Sequence, residues 1–423
     1  MRTSRLSQNV GSVRWLALIL LGVIAAAGGL AAALLEMMPA DRPGFGWIAA
    51  LAGLAAGAGL ITWGLVVFAR AIREPVPMVN SKPVTEALRS VQRKHRGTRV
   101  VAIGGGTGLP AVLRALKPIT GNLSAVVTVA DDGGSSGRLR RELGVLPPGD
   151  LRNNIVALAD DENIMARLFQ YRFNGAELDG HAFGNLFIAA LAGVTGSIEQ
   201  ALIETAHVLN IQGRVLPSTL DDVALAADIR VPGTGQPVHI EGESQITAAG
   251  GRIESIALVP PDVSAYGESV RAILEADIVV IGPGSLYTSI LPNLLVENIR
   301  EALRATSAYK IYLCNVATQP GETDDFTVAE HVMTLEHYIG RGVFQAVLAN
   351  DHMPTRNAGE FTRYVQPVSA HHEIAQRYEV RYFDLTDDER PWRHSPEKLA
   401  RAILSMRDMQ GDDGTQPSNG LGS

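Results

Sequence analysis

The sequence VVAIGGGTGLP at residues 100–110 predicts a buried strand, a glycine-rich turn and the start of a helix. Four apolar residues come before the glycines, and Pro110 suits a first helical turn. The glycines leave the backbone N–H groups between strand and helix uncovered. A turn of this kind at the N-terminus of a helix predicts a binding site for an anion.

Two further segments repeat the pattern of a strand followed by a glycine-rich loop. AVVTVA at residues 125–130 continues into DDGGSSG at 131–137, and IVVI at 278–281 continues into GPGSLYTS at 282–289. The carboxyl ends of neighbouring parallel strands lie at one edge of a sheet, where ligands bind. The three loops are therefore predicted to border one crevice.

The alternation of strands and helices after residue 99 predicts the fold class. It indicates an α/β domain with a doubly wound, mostly parallel, Rossmann-like sheet. Residues 223–259 contain short strand-like pieces broken by glycine and proline, which predict a small β insertion. We expect the nucleotide-binding domain to cover residues 99–409 and the polar tail at 410–423 to be disordered.

Two apolar runs before this domain predict two transmembrane helices. Residues 13–35 carry a single charge, at Arg14, and residues 46–69 carry none, so each run is long enough to span a bilayer. A signal peptide is the alternative for the first run, but no good cleavage site follows it and a second run comes at once. Residues 1–73 are therefore predicted to form a transmembrane hairpin, with membrane contact through residues 13–69.

The basic residues around the hairpin predict its orientation. Arginines and lysines lie before the first run and in residues 74–98, a predicted basic juxtamembrane linker, whereas the connector between the runs has only Arg42. By the positive-inside rule, both termini and the main domain lie in the cytoplasm. The predicted location is the inner (cytoplasmic) membrane, crossed twice.

Composition excludes several classes of function. Cys314 is the only cysteine among 423 residues, so an intrachain disulfide and a cysteine-rich metal site are both excluded. Residues 1–100 hold 12 Lys and Arg against 4 Asp and Glu, which leaves 25 against 40 for the rest of the chain. This acidic balance indicates that the main domain does not bind nucleic acid.

The first two loops carry the residues with the most distinctive chemistry. Gly106-x-Gly108 and an acid at position 131 fit a dinucleotide fingerprint, which leaves an NAD(P) oxidoreductase open as an alternative. The paired carboxylates of Asp131 and Asp132 could instead hold Mg²⁺ through their oxygens, with nucleotide phosphates as further ligands. Capping and turn formation explain the same pair without any ligand.

Three more segments supply polar groups near predicted helix starts. PPGDLRN at residues 147–153 places Asp150 as a helix N-cap and Arg152 and Asn153 in the first turn. His181 and Asn185 border a glycine turn before another helix. Nucleophile-elbow, HExxH and Walker A motifs are absent, so Ser135, Ser136 and Ser285 are interpreted as phosphate or sugar donors rather than nucleophiles. Tyr287 is a candidate for stacking on a base.

Six ordered motifs give the chain a specific resemblance. They are GGGTGL at 104–109, DDGGSSGRLR at 131–140, PPGDLRN at 147–153, GHAFGNL at 180–186, GPGSLYTS at 282–289 and TQPGET at 318–323. Together they resemble the YvcK-type gluconeogenesis factors of the CofD-like family. The resemblance covers residues 100 to about 351 and does not include the two apolar runs.

The resemblance implies a Rossmann-like fold that binds UDP-sugars such as UDP-N-acetylglucosamine and regulates cell shape and the supply of cell-wall precursors. It implies regulation rather than turnover, with a homo-oligomer and a protein partner in precursor synthesis as further expectations. The alternative, from the enzymatic relatives, is a Mg²⁺-dependent transfer of a phospholactyl-type group to a deazaflavin. No catalytic residue is predicted. The predicted ligand contacts are Gly104, Gly105, Gly106, Thr107, Gly108, Asp131, Asp132, Gly133, Gly134, Ser135, Arg152, Asn153, His181, Asn185, Gly282, Gly284, Ser285 and Tyr287.

Overall fold

The computed structural model describes residues 20–31, 46–73, 97–159, 164–231, 233, 236–355 and 363–412. The chain divides into two compact units, Met1–Glu86 and Ala87–Ser423. The first contains two described helices, and the second contains every described strand.

The strands form two separate sheets. Their bounds are β1 Val100–Gly104, β2 Leu123–Val127, β3 Arg214–Pro217, β4 Ala224–Arg230, β5 Val238–Glu241, β6 Arg252–Val259, β7 Ile278–Ile281, β8 Tyr309–Leu313, β9 Ala346–Asn350 and β10 Glu379–Phe383. The larger sheet has seven strands in the order β10-β9-β8-β7-β1-β2-β3, and the smaller has three in the order β5-β4-β6.

The described helices of the second unit alternate with the strands of the larger sheet. The helices of the whole chain are α1 20–31, α2 Gly46–Arg73, α3 Leu109–Leu116, α4 Gly134–Leu143, α5 Pro148–Leu158, α6 Ile164–Gln170, α7 Phe183–Thr195, α8 Ile198–Leu209, α9 Glu243–Ala248, α10 Gly267–Leu274, α11 Leu291–Leu295, α12 Glu297–Ala305, α13 Val328–Ile339, α14 Glu373–Arg377 and α15 Pro396–Asp412. A 3₁₀ turn at Ala176–Leu178 and a π-helical turn at Leu286–Ile290 complete the set.

The order of the larger sheet confirms the predicted mostly parallel, Rossmann-like α/β fold. Every pairing in it is parallel, and β1 lies between β2 and β7. The chain builds outward from β1 through β2 to β3, then returns to β7 and builds outward in the other direction. The return creates a topological switch point between β1 and β7, which is where such sheets bind ligands.

Apolar sequence explains why the central strands occupy the core. VVAIG in β1 and IVVI in β7 have no polar side chain, and every residue in both strands is buried. A strand with apolar residues on both faces must be covered on both faces, which crossover helices accomplish in parallel sheets. Cys314, just after β8, is fully buried in the same core.

Residues 224–259 form a small sheet separate from the larger one. β4 pairs antiparallel with β5 on one side and with β6 on the other. Helix α9 lies between β5 and β6 in sequence. The Tyr338 hydroxyl accepts a hydrogen bond from the Ile256 N–H at 2.9 Å, which joins β6 to helix α13.

The prediction of a membrane hairpin was wrong, and so was the two-pass membrane location. No helix among the described residues is long and apolar enough to cross a membrane. The linker predicted at 74–98 lies outside the described residues except for Gly97 and Thr98.

Glycines bring helices α1 and α2 into close contact. A Cβ added to Gly29 would lie 2.8 Å from the Leu54 nitrogen, and one added to Gly57 would lie 2.7 Å from the Ala26 nitrogen. Real Cβ atoms are not found at such distances, so the two backbones touch where side chains would otherwise separate them. Ala50 is buried in this contact region, with 1% of its surface exposed.

Several element boundaries differ from the sequence-based expectation. Asp150 is the third residue of helix α5, which begins at Pro148, so it is not the N-cap. The last helix begins at Pro396 rather than at Trp392, and it extends to Asp412, inside the tail predicted to be disordered. Proline at a first helical position explains both starts, because its missing N–H needs no partner there.

A buried ion pair joins helices α13 and α14 beside β10. Both oxygens of Glu336 accept from Nη1 of Arg377, at 2.5 and 2.7 Å, and the Tyr378 hydroxyl donates to Oε1 at 2.7 Å. Only 6% of the Glu336 side chain is exposed. A carboxylate at this depth depends on its partners, because burying an unpaired charge is costly.

We expect Arg377→Met to lower the free energy of unfolding by more than a surface ion pair contributes, since it leaves Glu336 buried with fewer partners. Urea denaturation followed by circular dichroism measures the change. Arg271→Met is the matched control, because its partners Glu268 and Glu275 are exposed, and it should cost less than about 1 kcal/mol. Equal effects of the two substitutions would contradict the prediction.

Candidate functional site

The glycine loop after β1 and the loop after β7 meet at the switch point. A Cβ added to Gly108 would lie 2.5 Å from the Pro283 carbonyl oxygen and 2.9 Å from the Gly284 Cα. Residues with side chains cannot approach a neighbouring backbone this closely, which explains why this position holds glycine. The structure thus brings together two of the three loops selected from the sequence.

Two buried asparagines fix the loops in place. The Asn315 side chain accepts from the Gly284 N–H at 3.0 Å and donates to the Gly284 carbonyl at 2.8 Å. Nδ2 of Asn293 donates to the carbonyls of Gly104 and Ser289, at 3.0 and 2.8 Å. Each amide replaces the backbone partner that an irregular loop lacks.

The segment after β8 supplies further side chains that sequence reasoning missed. Nε2 of Gln319 donates to the Ser285 hydroxyl at 2.6 Å. Glu322 accepts from the Thr288 hydroxyl at 3.1 Å and has only 6% of its surface exposed. The TQPGET motif was the available signal, because both residues lie inside it, but it was used only for the resemblance.

The second loop forms a tight turn that begins helix α4. Oδ1 of Asp131 accepts from the Gly133 N–H at 2.9 Å, so the capping explanation for this carboxylate holds in part. Oδ1 of Asp132 accepts from the Ser244 N–H at 2.9 Å, in the first turn of helix α9. Asp132 therefore connects the loop to the small sheet, which its sequence position did not indicate.

Five carboxylates come together beside these loops, and we call them the acidic cluster. They are Asp131, Asp132, Asp150, Glu243 and Glu322. Burial, and then the charges of the other four carboxylates, raises the pKa of Glu243 well above its usual value. Burial raises the pKa of Glu322 to about 7 and that of Asp150 to about 6, although the Gly106 N–H donates to Asp150 at 2.6 Å.

A buried chain of polar side chains lies next to the acidic cluster. Nη1 of Arg152 donates to Oδ1 of Asn185 at 2.8 Å, and Nδ2 of Asn185 donates to the Ser135 hydroxyl at 3.0 Å. The same hydroxyl lies 3.0 Å from Nδ1 of His181. Burial lowers the pKa of Arg152 to about 10, with the nearby charge of Arg172 adding to the effect. Asn153 accepts from Nη2 of Arg152 at 2.7 Å.

A cavity of about 530 Å³ opens on the other side of the first glycine loop, and we call it the arginine pocket. Thr107 and Gly108 line one wall, and Gly284 and Ser285 continue it. The segment before helix α15 forms the opposite wall. Its lining residues are Asp387, Arg390, Trp392, Arg393 and His394, and Arg114 of helix α3 also lines the cavity. In the described part of the chain, no carboxylate lies within 4.0 Å of the guanidinium groups of Arg114, Arg390 and Arg393.

The predicted contacts divide between the two sides of this loop. Thr107, Gly108, Gly284 and Ser285 line the arginine pocket. Asp131, Asp132, Ser135, Arg152, Asn153, His181 and Asn185 belong to the acidic cluster or the polar chain beside it. Tyr287 is only 5% exposed and packs edge-on against Phe326, with ring centroids 6.4 Å apart, so base stacking by this ring stays a prediction.

The magnesium site at Asp131 and Asp132 also stays a prediction. Among the described residues, no three or more His, Cys, Asp or Glu side chains are arranged to hold a metal ion. One oxygen of each aspartate already accepts a backbone N–H. The described side chains therefore do not by themselves form a site with three or more such ligands.

Comparison with known proteins identifies the family. The family model described as 2-phospho-L-lactate transferase CofD matches residues 100–384. The chain belongs to this CofD-like family. The gluconeogenesis factor of Bacillus subtilis (strain 168) is 48% identical over 253 residues, which cover 60% of this chain and 78% of the relative. That of Halalkalibacterium halodurans is 42% identical over 312 residues, covering 72% and 95%.

A solved structure supports both the family and the fold. The crystal structure of a member of the UPF0052 family from Bacillus halodurans is 39% identical to this CofD-like chain, with a TM-score of 0.68. It covers 73% of this chain and 98% of its own. The similarity therefore extends over nearly the whole of the shorter protein.

We expect Gly108→Ala to lower the free energy of unfolding by about 1–3 kcal/mol, because the new Cβ collides with the backbone at Pro283. Gly193→Ala in helix α7 is the matched control, since a Cβ there meets nothing within 4 Å. It should raise the free energy of unfolding by about 0.5–1 kcal/mol. Urea denaturation of both variants tests the close contact, and a Gly108→Ala variant as stable as the native chain would refute it.

Asp150 makes stability depend on pH. Its pKa of about 6 lies above the usual 3.8, so between these values the folded chain binds a proton that the unfolded chain has lost. The free energy of unfolding should therefore fall as pH rises from about 4 to about 6. Asp150→Asn keeps an oxygen for the Gly106 N–H and should make this fall shallower, with about 1–3 kcal/mol greater stability at pH 7. The remaining fall comes from Glu243 and Glu322, whose pKa values are also raised. Denaturation at several pH values measures it, and an unchanged slope would contradict the prediction.

Proposed function

We propose that this CofD-like chain is a gluconeogenesis factor that binds a UDP-sugar, such as UDP-N-acetylglucosamine, as a regulator without turnover. One observation carries the proposal. Three guanidinium groups without a carboxylate partner among the described residues line the same cavity as two glycine-rich loops. Arginines and exposed backbone N–H groups are the donors that proteins use for a diphosphate.

The arginine pocket also offers a surface for a base. Trp392 lines it between Arg390 and Arg393, and its half-buried indole can stack on a planar ring. The cavity volume of about 530 Å³ falls within the usual range for small-molecule sites. We assign the uracil and diphosphate to this pocket and the sugar to the side of the loop where Asp131 and Asn185 lie.

The names of the relatives support the regulatory part of the proposal. Proteins 42–48% identical to the chain are named gluconeogenesis factors, a name that states no reaction. We extend this role to the chain, with an influence on cell shape and the supply of cell-wall precursors through a protein partner.

The description of the matching family favours one alternative function. A phospholactyl-type transferase acting on a deazaflavin would use the acidic cluster, where five carboxylates converge. Product formation with Mg²⁺ and a deazaflavin acceptor, abolished by Asp131→Asn, would establish this alternative. The absence of product with every deazaflavin acceptor would exclude it.

We expect calorimetric titration to show UDP-N-acetylglucosamine binding to the native chain. Arg390→Gln and Arg393→Gln should each weaken it by roughly 10–100-fold, because each removes a charge-assisted hydrogen bond to phosphate. Arg167→Gln is the matched control, since that exposed arginine lies on helix α6, away from the residues that line the pocket. No heat from UDP-N-acetylglucosamine, beside clear binding of a deazaflavin, would overturn the proposal.

A further inference from the structure

In the polar chain beside the acidic cluster, each hydrogen bond has a fixed donor and a fixed acceptor, and the donors all lie on the Arg152 side. Arg152, Asn185, Ser135 and His181 follow one another through hydrogen bonds of 2.8, 3.0 and 3.0 Å. None of the four residues has more than 5% of its surface exposed. Water therefore has little access to the three hydrogen bonds that join these residues, so a donor must face an acceptor within each bond.

The direction begins at Arg152, because a guanidinium group has donors and no acceptor. Its Nη1 lies 2.8 Å from the Asn185 side chain, so the atom facing it must be the carbonyl oxygen of the amide. The reverse orientation of the amide would set two donors against each other. The NH₂ group of Asn185 consequently faces Ser135 and donates to its hydroxyl oxygen.

The Ser135 hydroxyl accepts one hydrogen bond and donates the next one, to His181. Its oxygen accepts from Asn185, and its own proton needs an acceptor. Among the described residues, Nδ1 of His181 is the one acceptor recorded for it. If Nδ1 carried a proton, two donors would meet the hydroxyl oxygen, and the hydroxyl proton would be buried without an acceptor. A buried donor without an acceptor lowers the stability of the folded chain.

We propose that Arg152 is a positioning residue that acts through Asn185 and Ser135 to hold His181 as a neutral imidazole with its proton on Nε2. The Nε2–H is then the donor that this ring can offer to an oxygen acceptor of the ligand. Burial and the nearby charge of Arg138 lower the pKa of His181, which agrees with a neutral ring.

The inference takes its ligand from the proposed function. It adds the kind of chemical group on that ligand that His181 would bind. An Nε2–H donor matches a phosphate, hydroxyl or amide carbonyl oxygen of a sugar nucleotide. It does not match a group that offers only a donor.

Nuclear magnetic resonance tests the protonation pattern without any ligand. The full chain is labelled with ¹⁵N-histidine, and two-bond ¹H–¹⁵N correlations distinguish protonated from unprotonated ring nitrogens. The signals lost in His181→Gln identify this residue among the 10 histidines. We expect Nδ1 of His181 to be unprotonated and Nε2 to be protonated. A proton on Nδ1 of the native chain would overturn the inference.

Four substitutions test the direction of the hydrogen bonds. Asn185→Asp replaces the donor that faces Ser135 with an acceptor, so the hydroxyl proton turns away from His181 and the signal of Nδ1 should shift toward the protonated form. Ser135→Ala removes the hydroxyl and should have the same effect, which covers the case in which the first variant fails to fold. Arg152→Met removes the donor that orients the Asn185 amide, so the signal of Nδ1 of His181 should shift toward the protonated form. Arg152→Lys keeps a group with donors only and should leave Nδ1 unprotonated.

Asn298→Asp is the matched control, because exposed Asn298 accepts from a backbone N–H and an aspartate can do the same. Unchanged His181 signals in both folded Asn185→Asp and Ser135→Ala would refute the role of the chain. Calorimetry with UDP-N-acetylglucosamine then measures the consequence, and Ser135→Ala should weaken binding by roughly tenfold. Absence of binding by the native chain would refute the proposed function and leave the resonance result standing.

Discussion

The contact between Gly108 and the carbonyl of Pro283 is the constraint on which the candidate site depends. A single added Cβ would lie 2.5 Å from that oxygen, so the two loops can meet only through backbone. Their contact sets the common wall between the arginine pocket and the side that holds the acidic cluster. The side-chain amides of Asn315 and Asn293 hydrogen-bond to the backbone of Gly284 and Gly104 and so fix the two loops. The site is therefore built on backbone geometry, and side chains from distant segments complete it.

The site combines opposite charges on the two sides of one loop. Arg114, Arg390 and Arg393 surround one side without carboxylate partners among the described residues, while five carboxylates crowd the other. Burial and mutual repulsion raise the pKa values of several of these acids. A ligand that spans both sides would place its anionic part among the arginines and its neutral, hydroxyl-rich part near the acids. This division of charge is the physical reason for preferring a sugar nucleotide.

Local sequence predicted the central strands and their glycine loops, but it did not predict the contacts between distant segments. Val100–Gly104 and Ile278–Ile281 were recognisable because apolar residues run directly into glycine. Arg390 and Arg393 were missed because they follow no strand and no glycine turn, and only the folded chain brings them to the first loop. Length and charge alone predicted a membrane hairpin at residues 13–69, but no described helix meets the requirements of a span. A run of small residues proved to be a signal for close helix packing.

The hydrogen bond from the Ser244 N–H to Asp132 has a consequence for communication within the domain. It places the first turn of helix α9, and with it the small sheet, on the same carboxylate that borders the site. Thermodynamic linkage is reciprocal, so a ligand that alters the hydrogen bonding of Asp132 must change the free energy of packing between the small sheet and the loop after β2.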